Sequence, residues 1–327
     1  MKIPGLVVIF FLSIPALFCQ ERNSVHIYKK LLSIHPGAHQ VEFLNNLAID
    51  SSSKNPSIAL FYAKLAGERA RVFSDDTGLA KSYYNLGIIK RMNLQNNDSN
   101  KTNETINDFQ SSIDIFTTIL NKKGTKIEQK EKKRMIHRMA FARCGIGQIY
   151  SNTGKNYSEA ILQLRAGLKS CESVGDSSGM ALLFHTLGIV YYLVGIFPES
   201  LNNLLSALKI LEKIGDKAGA ADVSIQLGIV YRKLDLLTEA LNNYNKSLSI
   251  FSKLGNNIEI AVLLNNIGTI KYQQGKLYDA LIYYHAAQEL HSKLGEKNYL
   301  SSAFSNIGLV YRELGNYKEA LSYLEKS

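Results

Sequence analysis

Tryptophan is absent from this sequence of 327 residues, and proline and cysteine are scarce, with five and three residues respectively. Because proline interrupts helices and turn-rich all-β folds use it freely, its scarcity favours a helical fold. Beyond the N-terminal region only Cys144 and Cys171 remain, within one predicted helical hairpin. We expect two buried thiols there rather than a disulfide. No Cys/His cluster has the spacing of metal ligands, so neither a metal nor another cofactor is expected.

Dense runs of lysine and arginine are also lacking, although the formal net charge is +10. The richest stretch, residues 122–138, is interrupted by Glu128 and Glu131 and is typical of a solvated helix face. The charge balance permits an acidic partner or an anionic surface. Without a basic run, we do not expect nucleic-acid binding.

Only the N-terminus carries a long apolar run, over residues 3–18. It follows Lys2, is broken by Pro4 and Pro15, and is shorter than the about 20 residues of a membrane-spanning helix. This pattern predicts a signal peptide over residues 1–19, cleaved near Cys19, followed by a lead-in over 20–38. An uncleaved anchor is the alternative, and the bulky Phe18 disfavours a lipoprotein signal. No later stretch looks long and apolar enough to span a bilayer, so we expect an exported protein, periplasmic or extracellular, with or without a membrane tether.

What the sequence does contain is a repeat of 40 residues. One ladder of glycines is Gly188, Gly228, Gly268 and Gly308. Twelve residues after each comes a small residue: Ser200, Ala240, Ala280 and Ala320. Looser earlier copies contain Gly87, and Gly147 with Ala160. A second ladder, also with 40-residue spacing, is Gly175, Gly215, Gly255 and Gly295.

Within each unit the apolar spacing is helical and predicts two helices joined by a short turn. Pro198 suits the first turn of a second helix, where its missing N–H costs nothing. The second glycine ladder suits helix ends in the left-handed conformation. A glycine inside a helix costs roughly 1 kcal/mol relative to alanine. Its repetition therefore predicts close helix packing, with each glycine of the first ladder facing the alanine or serine of the partner helix.

These features resemble the tetratricopeptide repeat family. Its signature is present as Leu227, Gly228 and Tyr231, followed by Ala240, Tyr244 and Ser247. The resemblance covers roughly residues 39–327, with a period of 40 in place of the usual 34. It implies an all-α fold, an α-solenoid forming a right-handed superhelix of about six to seven repeats. The predicted units are 39–77, 78–127, 128–178, 179–218, 219–258, 259–298 and an incomplete 299–327.

Two segments of this array are atypical. The second unit carries an Asn-rich insertion over 94–103, predicted to be a polar loop. It contains three glycan-acceptor triplets, beginning at Asn97, Asn100 and Asn103. The alternative is that these triplets follow from the Asn-rich composition alone. The last unit stops without a capping helix, which we interpret as an uncapped array end or as part of a longer chain.

In this family, first helices line a concave face, and residues two before and four after the ladder glycine point into it. The resemblance therefore implies a peptide-binding surface. Its amide members are Asn85, Gln226, Asn266 and Asn306. Its arginine and tyrosine members are Arg91, Tyr192, Arg232, Tyr272 and Arg312. Amides can pair with a peptide backbone, and arginines with carboxylates. The alternative is that the amides brace neighbouring helices and the arginines are solvated.

No catalytic constellation is evident, since the histidines His137, His185, His285 and His291 are scattered over different units. We therefore expect a scaffold and not an enzyme. It would bind a segment of a protein or a peptide, and in one form of this hypothesis that segment is acidic. It would be the exported sensory or interaction region of a larger bacterial signalling protein. The alternative is an exported structural or assembly factor for envelope or secretion complexes. Membrane contact is expected only through an uncleaved N-terminus or a segment beyond Ser327, and the oligomeric state is left open.

Overall fold

The computed structural model describes residues 37–94, 98–122, 124, 126–154 and 156–327. The expected signal peptide and nearly all of the lead-in lie outside these residues, as does Asn97. The described residues form fourteen α-helices and no β-strand. The all-α repeat prediction is therefore confirmed.

The described residues belong to two compact units, one ending at Ile149 and the other beginning at Tyr150. The first unit contains α1 (Ala38–Ser51), α2 (Pro56–Val72), α3 (Asp76–Met92), α4 (Ser99–Asn121) and most of α5 (Gln129–Thr153). The second contains α6 (Tyr157–Ser173), α7 (Ser177–Val194), α8 (Phe197–Ile214), α9 (Lys217–Lys233) and α10 (Leu237–Leu254). It ends with α11 (Asn257–Gln273), α12 (Leu277–Leu294), α13 (Lys297–Glu313) and α14 (Tyr317–Leu324).

Local signals in the sequence account for where these helices begin and end. The Asp216 carboxylate accepts a hydrogen bond from the Gly219 N–H at 2.9 Å and so caps the start of α9. Pro198 lies in the first turn of α8, as predicted. The second glycine ladder has the predicted left-handed conformation, with φ of 62° at Gly175, 79° at Gly215, 67° at Gly255 and 72° at Gly295.

Each second helix buries one stripe of side chains against its own first helix and the first helix of the following pair. In α10 this stripe is Ala240, Tyr244, Ser247 and Phe251. Tyr244 is fully buried and belongs to a core cluster with Ile225 of α9 and Ile267 of α11. A helical pair therefore buries its apolar face only when the next pair is present.

The first glycine ladder packs closely on the second helices and faces the small residue at Gly188 and Gly308, as predicted, and a second residue of the partner helix shares the contact. A Cβ atom added at Gly228 would lie 2.3 Å from Tyr244 Cε1, and one at Gly188 would lie 2.5 Å from Leu204 Cγ. The space that the glycine leaves is thus filled by the residue four positions after the small residue. The small residues are buried where the two helices cross, and Ser200 Oγ donates a hydrogen bond to the Gly188 carbonyl at 2.7 Å. The same arrangement places Gly268 against Tyr284, Gly308 against Leu324 and Gly87 against Phe109, with Gly147, Ala160, Ala240, Ala280 and Ala320 also buried.

Two sequence-based expectations need correction. The Asn-rich stretch is not a loop as far as residue 103, because α4 begins at Ser99, with the Asp98 carboxylate accepting from the Lys101 N–H at 3.0 Å. The expectation that no later stretch is long and apolar enough to span a bilayer is also wrong, since α7 is long and apolar enough by length and composition. Packing explains its composition: α7 lies between α6 and α8, and 44% of it is buried. Cys144 and Cys171 are both buried thiols.

Candidate binding surface on the first helices

Side chains from three successive first helices are neither in the core nor fully exposed. We call them the first-helix strip: Tyr192 on α7, Gln226 and Arg232 on α9, and Asn266 and Tyr272 on α11. All five are half-buried. They recur at the 40-residue period, so they occupy equivalent positions on neighbouring helices. Such a row presents a repeated set of polar and aromatic groups to one ligand.

Two of the predicted amides brace adjacent first helices. Asn85 on α3 is buried, and its side-chain N–H group donates to the Asn45 carbonyl at 3.0 Å and to Asn45 Oδ1 at 2.9 Å. In the second unit, Asn306 donates to Asn265 Oδ1 at 2.9 Å. The bracing alternative therefore describes both of these residues. In contrast, no hydrogen bond of the Gln226 or Asn266 side chain is found within the described part of the chain, so both amides are open to a ligand.

The three arginines four residues after the ladder glycines differ in their partners. Arg91 donates to Gln148 Oε1. Arg312 is exposed and forms an ion pair with Glu313 at 3.2 Å. Arg232 forms no ion pair with any described carboxylate, and its Nε is buried without a hydrogen-bond partner. The three equivalent arginines thus differ in whether a neighbouring side chain already pairs with them.

Two tyrosines of the second helices lie within the electrostatic influence of Arg232. Burial raises the pKa of Tyr244 to about 12, against the opposing effect of the Arg232 guanidinium. The hydroxyl lies close enough to the guanidinium for its charge and a weak hydrogen bond to lower this pKa, although the geometry of the contact falls outside the ordinary range. Burial likewise raises the pKa of Tyr284, whose hydroxyl donates to Thr269 Oγ1 at 3.2 Å. Both phenols are neutral at physiological pH and supply no negative charge to Arg232.

Acidic groups lie at the other end of the same helices. Asp222 on α9 is exposed at the surface, and partial desolvation raises its pKa to about 6, assisted by the negative charges of Glu259 and Asp216. Burial also raises the pKa of Glu259 on α11. Asp222 precedes Arg232 by ten residues, or about 15 Å along the helix at 1.5 Å per residue. Therefore α9 and α11 carry acidic groups near their beginnings, and α9 carries Arg232 near its end.

The histidines do not form a catalytic arrangement in the described residues. Burial lowers the pKa of His185 to about 4, and its Nε2 has no hydrogen-bond partner there. His291 is buried near the end of α12 and stacks on Tyr299 with ring centroids 5.1 Å apart. No group of three or more His, Cys, Asp or Glu side chains that could hold a metal was found in the same part of the chain.

Several residues of the site were missed in the sequence. Asn265 precedes the ladder residue Gly268 by three positions, and Asn45 precedes Ala48, which takes the place of the glycine in the first unit, by three as well. The repeat register could therefore have identified them as partners of Asn85 and Asn306. The tyrosines Tyr244 and Tyr284 were assigned to packing alone. Their rings do pack, but only the fold shows that the hydroxyl groups reach the Arg232 region.

Comparison with known proteins finds a family match within the second unit. The tetratricopeptide repeat model matches residues 179–253 and 259–327. No curated protein sequence matches the chain significantly.

Several solved structures share the fold. The apo quorum sensor NprR from B. thuringiensis is 16% identical with a TM-score of 0.70, covering 96% of this chain and 83% of its own. A Rap protein complexed with competence and sporulation factor is 14% identical with a TM-score of 0.57, covering 89% and 80%. Aspartyl phosphate phosphatase F from Bacillus subtilis is 12% identical with a TM-score of 0.63, covering 88% and 68%. At these identities the likeness is one of fold.

Proposed function

Since residues 179–253 and 259–327 match the tetratricopeptide repeat family, we propose that this chain is a non-enzymatic scaffold. It binds an extended segment of another protein, or a peptide, on the first helices of its second unit. We further propose that it is the exported sensory or interaction region of a bacterial signalling protein.

One observation carries the binding proposal: the first-helix strip combines half-buried aromatic rings with polar groups that the fold leaves unused. Gln226 and Asn266 lie at equivalent positions 40 residues apart, and each offers one acceptor and two donors. An extended chain presents its own N–H and C=O groups at regular intervals, so repeated amides can hold its backbone without reading its side chains. The tyrosines add flat apolar contact with low entropic cost.

The structural relatives support a regulatory scaffold. One is a quorum sensor and another is held in complex with competence and sporulation factor. A phosphatase shares the fold as well, at 12% identity.

Selection from a random peptide library on the purified full chain tests this proposal. Selected peptides should bind the double variant Gln226→Ala/Asn266→Ala about tenfold more weakly, chiefly through a faster off-rate, because buried hydrogen bonds act mainly on dissociation. The matched control is Asn202→Ala/Asn242→Ala, which removes two exposed amides from the second helices α8 and α10. Equal binding by both double variants would place the ligand on another surface. Failure to select any peptide would contradict the proposed function.

The export proposal needs a separate experiment. The expected signal peptide is the feature that supports it, and its residues lie outside those the structure describes. Expression of the chain with a C-terminal tag, followed by fractionation and N-terminal sequencing, should yield a mature protein that begins near residue 20. An intact N-terminus in the cytoplasmic fraction would contradict export.

A further inference from the structure

We propose that an insertion between α4 and α5 is a docking surface for an anionic lipid membrane. We call it the basic extension and define it as residues 122–134. The sequence led us to expect membrane contact only through the two ends of the chain, whereas this contact is internal. The inference goes beyond the proposed function, because the basic extension lies in the first unit and the first-helix strip lies in the second.

The basic extension is an addition to the repeat. In a regular unit, 24 positions separate the buried ring of a second helix from the ladder glycine of the next first helix, as between Tyr244 and Gly268. Between Phe109 and Gly147 the separation is 38 positions, which is fourteen more. Correspondingly, α5 has 25 residues, whereas α9 and α11 have 17 each. The repeat architecture therefore does not account for these extra residues.

Half of the formal net charge of the chain lies in the basic extension. It contains six lysines and one arginine against two glutamates, a net charge of +5, compared with +10 for the whole chain. The cationic side chains that the structure describes there are all exposed: Lys122, Lys126, Lys130, Lys132, Lys133 and Arg134. Glu131 pairs with Arg134 at 3.4 Å, whereas Lys130 and Lys132 form no ion pair with a carboxylate of the described residues. The extension therefore concentrates positive charge that its own glutamates do not balance.

The helical part of the extension displays its cations on one side. Lys130, Lys133 and Arg134 are spaced by three and four residues along α5 and so share a face. Met135 and Ile136, which follow directly, are buried and attach this part of the helix to the core. The cations are thus held by an ordered helix and point away from the core. A flat anionic surface can contact all three at once.

The residue types favour a lipid surface over a protein or a nucleic acid. Protein interface cores are depleted in lysine and enriched in aromatic residues, and none of the large apolar side chains exposed in the described chain lies between residues 122 and 140. Nucleic-acid sites add arginine forks and aromatic stacking, but the extension contains one arginine and no aromatic residue. Lysines are compact charges on flexible stems, and clusters of about four to eight Lys or Arg bind anionic lipids.

The experiment measures co-sedimentation of the purified full chain with two sets of lipid vesicles. One set contains equal parts of phosphatidylglycerol and phosphatidylcholine, and the other contains phosphatidylcholine alone. The neutral set reports any binding through the apolar N-terminal run, which is the same in every variant. The test variant is Lys130→Gln/Lys132→Gln. The matched control is Lys213→Gln/Lys253→Gln, which removes the same charge from exposed lysines of α8 and α10.

Wild type should bind the anionic vesicles at least tenfold more tightly than the neutral ones. A lysine near an anionic surface contributes about fivefold in affinity, so the test variant should bind the anionic vesicles about 25-fold more weakly. The matched control should bind as wild type does. Lys130→Arg/Lys132→Arg should also bind as wild type does, because a diffuse interaction depends on charge and not on side-chain shape. In 1 M salt, where the Debye length is about 3 Å, the difference between the two vesicle sets should disappear.

Three results would overturn the inference. The first is equal binding of wild type to both vesicle sets, and the second is an equal loss in the test variant and the matched control, which would mean that only the net charge matters. The third is tighter binding to duplex DNA or to polyglutamate than to the anionic vesicles, lost in the test variant, which would assign the extension to a nucleic acid or an acidic protein. Circular dichroism checks that each variant is folded, and peptide binding by the first-helix strip is measured separately.

Discussion

Substitution of Gly228 by alanine tests the helix packing most directly. It has two opposing effects on the free energy of unfolding, and the sign of each is known. In an exposed helix, Gly→Ala stabilises by roughly 1 kcal/mol. Here the new Cβ would lie 2.3 Å from Tyr244 Cε1 and 2.6 Å from Cδ1. Unstrained carbon contacts are about 3.5–4.0 Å apart, so the ring would have to move by more than about 1 Å.

The surroundings of Tyr244 do not allow that movement without cost. The side chain is fully buried and is enclosed by the cluster that includes Ile225, Ile267 and Ile270. Overpacking in a close-packed core costs typically about 1–3 kcal/mol. After the gain in helix propensity is subtracted, we expect Gly228→Ala to destabilise by about 0–2 kcal/mol.

A double-mutant cycle isolates the contact, with urea unfolding followed by far-UV circular dichroism. In a Tyr244→Phe background the clashing ring carbon remains, so Gly228→Ala should still destabilise. In a Tyr244→Ala background the ring is gone, so Gly228→Ala should become neutral or stabilise by up to about 1 kcal/mol. Stabilisation by about 1 kcal/mol in all three backgrounds would refute the packing register.

Three further predictions concern the same unit. Asp235 has a left-handed φ of 61°, whereas the equivalent residues in other repeats are the glycines Gly195, Gly275 and Gly315. Asp235→Gly should therefore raise the free energy of unfolding by about 0.5–1 kcal/mol in a urea titration. A lower free energy of unfolding would contradict this prediction. Ala240→Leu should destabilise the protein by roughly 1–3 kcal/mol because Ala240 is fully buried. The control Lys253→Ala, at an exposed position, should change stability by less than about 0.5 kcal/mol. Equal effects in denaturant melts would count against the assignment of Ala240 to the helix contact. The folded-state pKa of Asp222, about 6, is above its unfolded value. Its contribution to stability is therefore fully present below about pH 4 and is lost as the pH rises through about 6. Asp222→Asn should reduce the fall in Tm between about pH 4.5 and 7.5, and an unchanged fall would exclude this residue as its source.

Much of the fold follows from the sequence alone, because the repeat period is encoded in residues whose roles are local. Glycines at helix ends, capping residues such as Asp216, and apolar spacing of three and four specify the helices without reference to distant contacts. The start of α4 was misjudged because Asn-rich composition outweighed the cap at Asp98, which favours a helix from the next residue. The apolar character of α7 gave no indication of its burial between two neighbours.

The availability of individual side chains could be decided only by the tertiary structure. Arg91, Arg232 and Arg312 occupy equivalent positions in the repeat, but periodicity in the sequence does not show which side chain lies beside each of them. Whether an arginine is neutralised depends on the residue that folding brings beside it: Gln148, Glu313 or, for Arg232, no acidic group in the described chain. Sequence periodicity thus determined which helices stack and which faces they share, because those depend on interactions within one turn or one period. The partners of each polar group depend on single residues from other helices, and these differ from repeat to repeat.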